Sequence, residues 1–210
     1  MVQAYHAIWG TYGFWLPNDP RGSWSNFVAS WEIFRYGEIV RAGTRFSRAA
    51  VEHDFKKRMA AKTAMKYPAV VLDGVMARAV GRGFAKAVEA SGYKVLACAI
   101  MPDHVHVVVR RHEQDIERIV GHLKGRASTR MEEDGVHPLM RFRGRDGRVP
   151  TAWAEGCWKV FLNTPEEIAR AVGYVEENPL REGLRAQRWS FVGDGWREGG
   201  DGGTAVETAG

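Results

Sequence analysis

The sequence predicts an α+β fold: a ferredoxin-like antiparallel sheet with helices on one face, plus an appended C-terminal helix. Two observations carry this prediction. Apolar runs of strand character and amphipathic helical stretches alternate in the order strand, helix, strand, strand, helix, strand, and a third helical stretch follows the last strand. The chain has 210 residues, 45% of them apolar, which is enough for one domain with a real core.

Tyr5 to Tyr12 (YHAIWGTY) is short, aromatic-rich and ends at Gly13, as a first strand does. An irregular segment follows, opening with the turn-forming run Leu16 to Gly22 (LPNDPRG). Between Arg41 and Lys66 eight bases face two acids, and a helix is expected over Val51 to Met65. From Leu72 to Val88 apolar residues recur at three-then-four spacing for more than four turns, with Gly92 closing the helix. Tyr93 to Met101 and His104 to Arg111 are two strands joined by the tight turn Pro102-Asp103. A second amphipathic helix is expected from Asp115 to Met131, with Ile116, Ile119, Val120, Leu123 and Ala127 as its stripe. After a glycine- and arginine-rich loop (RFRGRDGRVP), Cys157 to Leu162 is strand-like. The last helix has Asn163 or Thr164 as its cap and Pro165 in its first turn, and is expected to end near Asn178-Pro179. One domain is therefore expected over residues 1–192, with an inserted basic segment at about 13–70 and a disordered glycine-rich tail over 193–210.

Composition narrows the function. The net charge is +5; the tail from Asp194 carries four acids and one base, which leaves the body at +8, a balance that suits a polyanionic partner. No run of 18 apolar residues and no signal-peptide pattern occur, so a cytoplasmic protein without a membrane partner is expected. Cys98 and Cys157 are far apart and lack a CxxC partner. They are expected to be buried small apolar residues rather than a disulfide or a zinc site.

Two features could carry chemistry. In His104-Val105-His106 the period of a strand points both imidazoles to one face, roughly 7 Å apart, where they could share a metal ion. With seven histidines in 210 residues such a pair arises by chance in roughly one sequence in five, so it means little alone. Its context adds weight: Val105, Val107 and Val109 face the other way, toward a core, leaving the histidines on an open sheet face suited to nucleic acid. The second feature is Tyr174. It lies at the edge of the stripe Ile168, Ala171, Val172 and Val175 and one turn before Asn178, so both can point past the core toward a neighbouring element. A core-edge tyrosine with its hydroxyl in water is the plainer explanation of it.

Met101-Pro102-Asp103-His104-Val105-His106 together with Tyr174 to Leu184 (YVEENPLREGL) resembles the HUH single-tyrosine transposases, and within them the REP-associated tyrosine transposases. Thr11 to Pro17 (TYGFWLP), Leu123 to Ser128 (LKGRAS) and Trp158 to Phe161 agree in order and spacing. Two departures are a first connection longer than in a minimal member and Arg181-Glu182-Gly183 where Arg-Ala-Gly is more usual. The resemblance implies that His104 and His106 are the metal-holding, catalytic histidines, that Tyr174 is the nucleophile, and that Asn178 is a third, polar metal ligand. It further implies Mg2+ or Mn2+ as cofactor, a 5′-phosphotyrosine intermediate, and single-stranded or hairpin DNA as partner. A monomer is favoured, with a homodimer as the alternative. Unpaired bases would stack on aromatics such as Trp9, Tyr12, Trp15 and Trp24. Phosphates would meet Lys124, Arg126 and Arg130 on the second helix and Arg141, Arg143, Arg145 and Arg148 in the loop. Two rivals stay open at this point: a module that grips hairpin DNA or RNA without cutting it, and an H-x-H metal-dependent hydrolase in which water attacks.

Overall fold

The computed structural model describes residues 1–14, 56 and 63–193. The helix expected over Val51 to Met65 lies almost entirely outside these residues. The Leu16 to Gly22 turn, Trp15, Trp24 and the tail from Asp194 lie wholly outside them. Strand β1 (Ala4–Gly10) is followed by helix α1 (Gly74–Ser91), strands β2 (Val95–Ile100) and β3 (His104–Arg110), and helix α2 (Ile116–Glu133). A single 3-10 turn (Met140–Phe142), strand β4 (Trp158–Leu162) and helix α3 (Pro165–Arg181) complete the described elements. The sheet order is β2-β3-β1-β4 and every pairing is antiparallel, which is the split arrangement the element order predicts.

Strand alternation divides the sheet into two faces. Ala7 and Trp9 of β1 and Val105, Val107 and Val109 of β3 pack with Phe84 of α1 and Ile119 and Leu123 of α2. Ala4 of β1 and Val108 of β3 pack on the other side with Ile168, Val172 and Val175 of α3. The third helix is thus more than an appendage. The expectation of one open face is corrected, because α3 has an apolar stripe of its own and buries it on the face opposite α1 and α2.

The helices begin and end where side chains satisfy their free backbone groups. The Asp73 carboxylate accepts from the N–H groups of Val75 and Met76, and Gly92, in the left-handed region at φ 68°, closes α1. Asp115 accepts from Arg118 N–H at the start of α2. At the start of α3, Thr164 Oγ1 accepts from Glu167 N–H while Glu167 Oε2 accepts from Asn163 N–H, 2.6 Å. This helix also runs further than expected, through Pro179 to Arg181. Pro179 lacks the N–H that would donate back to the Val175 carbonyl, and the residue is buried. Gly183 then turns left-handed at φ 72°, and the N–H groups of Gly183 and Leu184 donate to the carbonyls of Leu180 and Pro179.

The outer edge of β2 is covered by the C-terminal segment. The Gln187 carboxamide pairs with both backbone polar groups of Ile100, at 2.8 Å each, in the manner of a neighbouring strand. Cys98 is in the core as expected, but Cys157 is only half-buried; both are free thiols. Among the described residues no helix is long and apolar enough to cross a membrane.

Candidate active site

The site is assembled by the pleat of β3. His104 and His106 project to the face that α3 covers, and their ring centroids are 4.7 Å apart, closer than the roughly 7 Å of flat-strand geometry. Antiparallel register sets Ile8 of β1 opposite His106, so His6, two residues earlier on the same face, lies diagonally across from it. His6 Nε2 and His106 Nδ1 are hydrogen-bonded at 3.0 Å. His104 donates from Nδ1 to Asp103 Oδ1, 2.6 Å away in the preceding turn. Each histidine of the pair therefore has its Nδ1 engaged by a neighbouring side chain.

Helix α3 brings Tyr174 to the same place. Its ring centroid is 5.7 Å from that of His106 and 5.9 Å from that of His6. The phenol is 44% exposed, whereas His106 beneath it is 3% exposed, so the tyrosine bridges the buried imidazoles and solvent. The Arg181 guanidinium is 5.5 Å from the phenol ring and is paired with Glu177 one turn back on α3, at 2.6 Å. Asn178, one turn beyond Tyr174 on α3, is buried at 7% exposure.

Burial dominates the electrostatics. Desolvation pushes the His6 pKa down from 6.5 to about 4. It also lowers that of His106 well below the ordinary value, helped by the neighbouring His104 and His6 and opposed by Asp103. Both rings are neutral at pH 7, the form in which an imidazole offers a lone pair. Among the described residues no group of three or more His, Cys, Asp or Glu side chains converges as a metal site. A cation here would meet imidazole nitrogen from His104 and His106 and oxygen from other sources, a donor set that suits a divalent ion with a mixed N,O shell.

The structure brings His104, His106 and Tyr174 together. It sets the predicted phosphate-binding residues on the opposite side of the sheet. Lys124, Arg126 and Arg130 belong to α2, and the loop of Arg141, Arg143, Arg145 and Arg148 packs through Leu139, Phe142 and Val149 against the α1 and α2 core. Lys124 donates to the carbonyls of Ala154 (2.8 Å) and Gly156 (2.6 Å), and desolvation lowers its pKa to about 8. Arg130 pairs with Asp134, and Arg143 with Glu132. The expected stacking aromatics also differ: Trp9 is fully buried in the core, and Tyr12 is half-buried against Tyr67. The large aromatics exposed among the described residues are Trp158, Phe161 and Tyr174.

Sequence reasoning missed His6, Asp103 and Arg181 as site residues. A signal for His6 was present: in Tyr5-His6-Ala7 a lone histidine interrupts a strand whose other residues are mostly apolar. Its partner lies 100 residues away, so the pairing emerges only from sheet register.

Residues 60–177, more than half of the chain, match the family described as IS200-like transposases. The chain belongs to that family. The matched span contains His104, His106 and Tyr174, begins after β1, and stops one residue before Asn178. No curated protein matches this transposase. Among solved structures it is similar to a REP-associated tyrosine transposase bound to a REP hairpin, at 8% identity over 87% of this chain and 70% of that one, with a TM-score of 0.45. It is also similar to a candidate transposase from Deinococcus radiodurans, at 14% identity over 89% of this chain and 94% of that one, with a TM-score of 0.41. The family assignment rests on the sequence match.

Proposed function

We propose that this IS200-like transposase cuts and rejoins single-stranded or hairpin DNA, with Tyr174 as the nucleophile and a 5′-phosphotyrosine as the intermediate. The observation that carries the reading is the convergence of Tyr174 with His106 and its neighbour His104 on one sheet face, from elements far apart in sequence. His104 and His106 would hold the divalent metal, Mg2+ or Mn2+, through Nε2, and buried Asn178 is the candidate third, polar ligand. When bound, that cation supplies positive charge to the non-bridging oxygens of the scissile phosphate.

The chain's own groups do the rest. Tyr174 Oη forms a bond to phosphorus, its proton passing to solvent, while the bond from phosphorus to the 3′ oxygen breaks and that oxygen leaves as a 3′-hydroxyl after taking a proton from water. The Arg181 guanidinium, 5.5 Å from the phenol ring, helps hold the Tyr174 side chain on the open side of the site. Rejoining is the reverse step with a different 3′-hydroxyl, so no nucleotide hydrolysis is needed. Lys124, Arg126, Arg130, Arg141, Arg143, Arg145 and Arg148 lie across the sheet from Tyr174. They would serve the stem of a hairpin rather than the scissile phosphate. One chain supplies both histidines and the tyrosine, which favours action as a monomer.

The test is a denaturing gel of end-labelled hairpin DNA incubated with the protein and Mn2+. The expected result is a labelled band retarded by covalent protein, absent with Tyr174→Phe and with His106→Ala. Cleavage that persists in Tyr174→Phe would transfer the reading to water as nucleophile. Retention of DNA without any cleavage by the parent would favour a binding module.

A further inference from the structure

We propose that His6 is a positioning residue for the metal site: it accepts the Nδ1 proton of His106 and so holds that imidazole with its Nε2 lone pair turned toward the cation. The inference rests on the metal reading above and deepens it. His6 lies in β1, before the span that matches the family, so nothing in that match assigns it a role.

Four observations carry it. The contact is a 3.0 Å nitrogen-to-nitrogen hydrogen bond, which requires one ring to donate and the other to accept. His6 and His106 are 8% and 3% exposed, so water competes little for either nitrogen, and with the His106 Nε2 lone pair offered to a cation its one proton sits on Nδ1, which makes His106 the donor. The companion ligand is held in the same way, since His104 donates its own Nδ1 proton to Asp103 at 2.6 Å. Both rings are thus anchored through Nδ1, one by a carboxylate in a turn and the other by an imidazole in the adjacent strand. Finally, the anchor is rigid: β1 is paired on both sides, to β3 and β4, and Ile8 opposite His106 fixes the diagonal from His6. The Nε2 of His6 is occupied by this bond, which makes His6 a support for a ligand rather than a ligand.

The test uses the full chain stripped of metal and titrated with Mn2+, with free ion followed by electron paramagnetic resonance and bound imidazole counted by its nitrogen couplings. His6→Phe keeps an apolar ring in the buried space but offers no acceptor, and Mn2+ affinity is expected to fall about 10- to 100-fold. His6→Gln carries its Oε1 where Nε2 sits and is expected to restore most of the affinity. His6→Asn, one bond shorter, is not. If His6→Phe fails to fold, as its unfolding midpoint would reveal, the Gln and Asn pair decides alone. Parental affinity in His6→Phe, or equal affinities in the Gln and Asn variants, overturns the positioning role while leaving the metal reading intact. A parent that takes up no Mn2+, or takes it up equally well after His104→Ala, overturns both.

Discussion

At the residue scale, burial keeps the imidazoles of His6 and His106 neutral. His6, with its pKa held at about 4, and His106, lowered well below the ordinary value, bind fewer protons in the folded chain than in the unfolded one. The contribution of each to stability is therefore fully present above the unfolded value of about 6.5 and is lost as pH falls through its lowered folded value, about 4 for His6. For His6 alone the loss between about pH 7.5 and pH 5 is about 2 kcal/mol. Urea unfolding of the metal-free protein across that range checks this: stability should fall with acidification, and His6→Phe should remove part of the slope. A slope untouched by the substitution would place the titration elsewhere. The pair His104 and His106 was legible in the sequence because a strand's period of two is local. The bond to His6 was not, because it depends on which strand lies beside β3 and in what register.

At the scale of elements, periodicity revealed the four described strands and the three helices, while the details that differ were set by tertiary contacts. Helix α3 was expected to stop at Asn178-Pro179, yet a buried proline and the Gly183 turn extend it to Arg181 and carry the guanidinium to Tyr174. Its stripe of Ile168, Val172 and Val175 was visible, but which face of the sheet it would cover was not, since a helix after the last strand can fold to either side. The crossing of α1 and α2 was likewise hidden. A Cβ on Gly83 would lie 2.6 Å from the Arg126 carbonyl oxygen and 2.7 Å from Ala127 Cα, so the two backbones touch there. In an isolated helix Gly83→Ala would stabilise by about 1 kcal/mol. Here it must push α2 away, and a net loss of about 2 kcal/mol in unfolding free energy is expected, toward the upper end of overpacking costs. Unchanged or raised stability in chemical denaturation would mean that the helices are not in backbone contact.

At the scale of the whole molecule, the sheet separates two kinds of surface. One face, under α3, holds the buried imidazoles and the half-exposed phenol; the other carries α1, α2 and the arginine-rich loop. This split puts the basic residues singled out as phosphate contacts on the side away from the imidazoles, where Arg130 and Arg143 are paired with acids. It also makes a prediction about assembly. Because one chain holds His104, His106 and Tyr174 together, mixing His106→Ala protein with Tyr174→Phe protein should leave cleavage of hairpin DNA at background. Recovered activity in the mixture would mean that sites are shared between two chains. The most direct measurement of the central claim is mass spectrometry of the tryptic peptides after reaction with hairpin DNA and Mn2+. The account predicts a 5′-linked nucleotide on Tyr174, within the peptide of residues 171–181. Cut DNA with that peptide unmodified, or with the nucleotide on another residue, would contradict it.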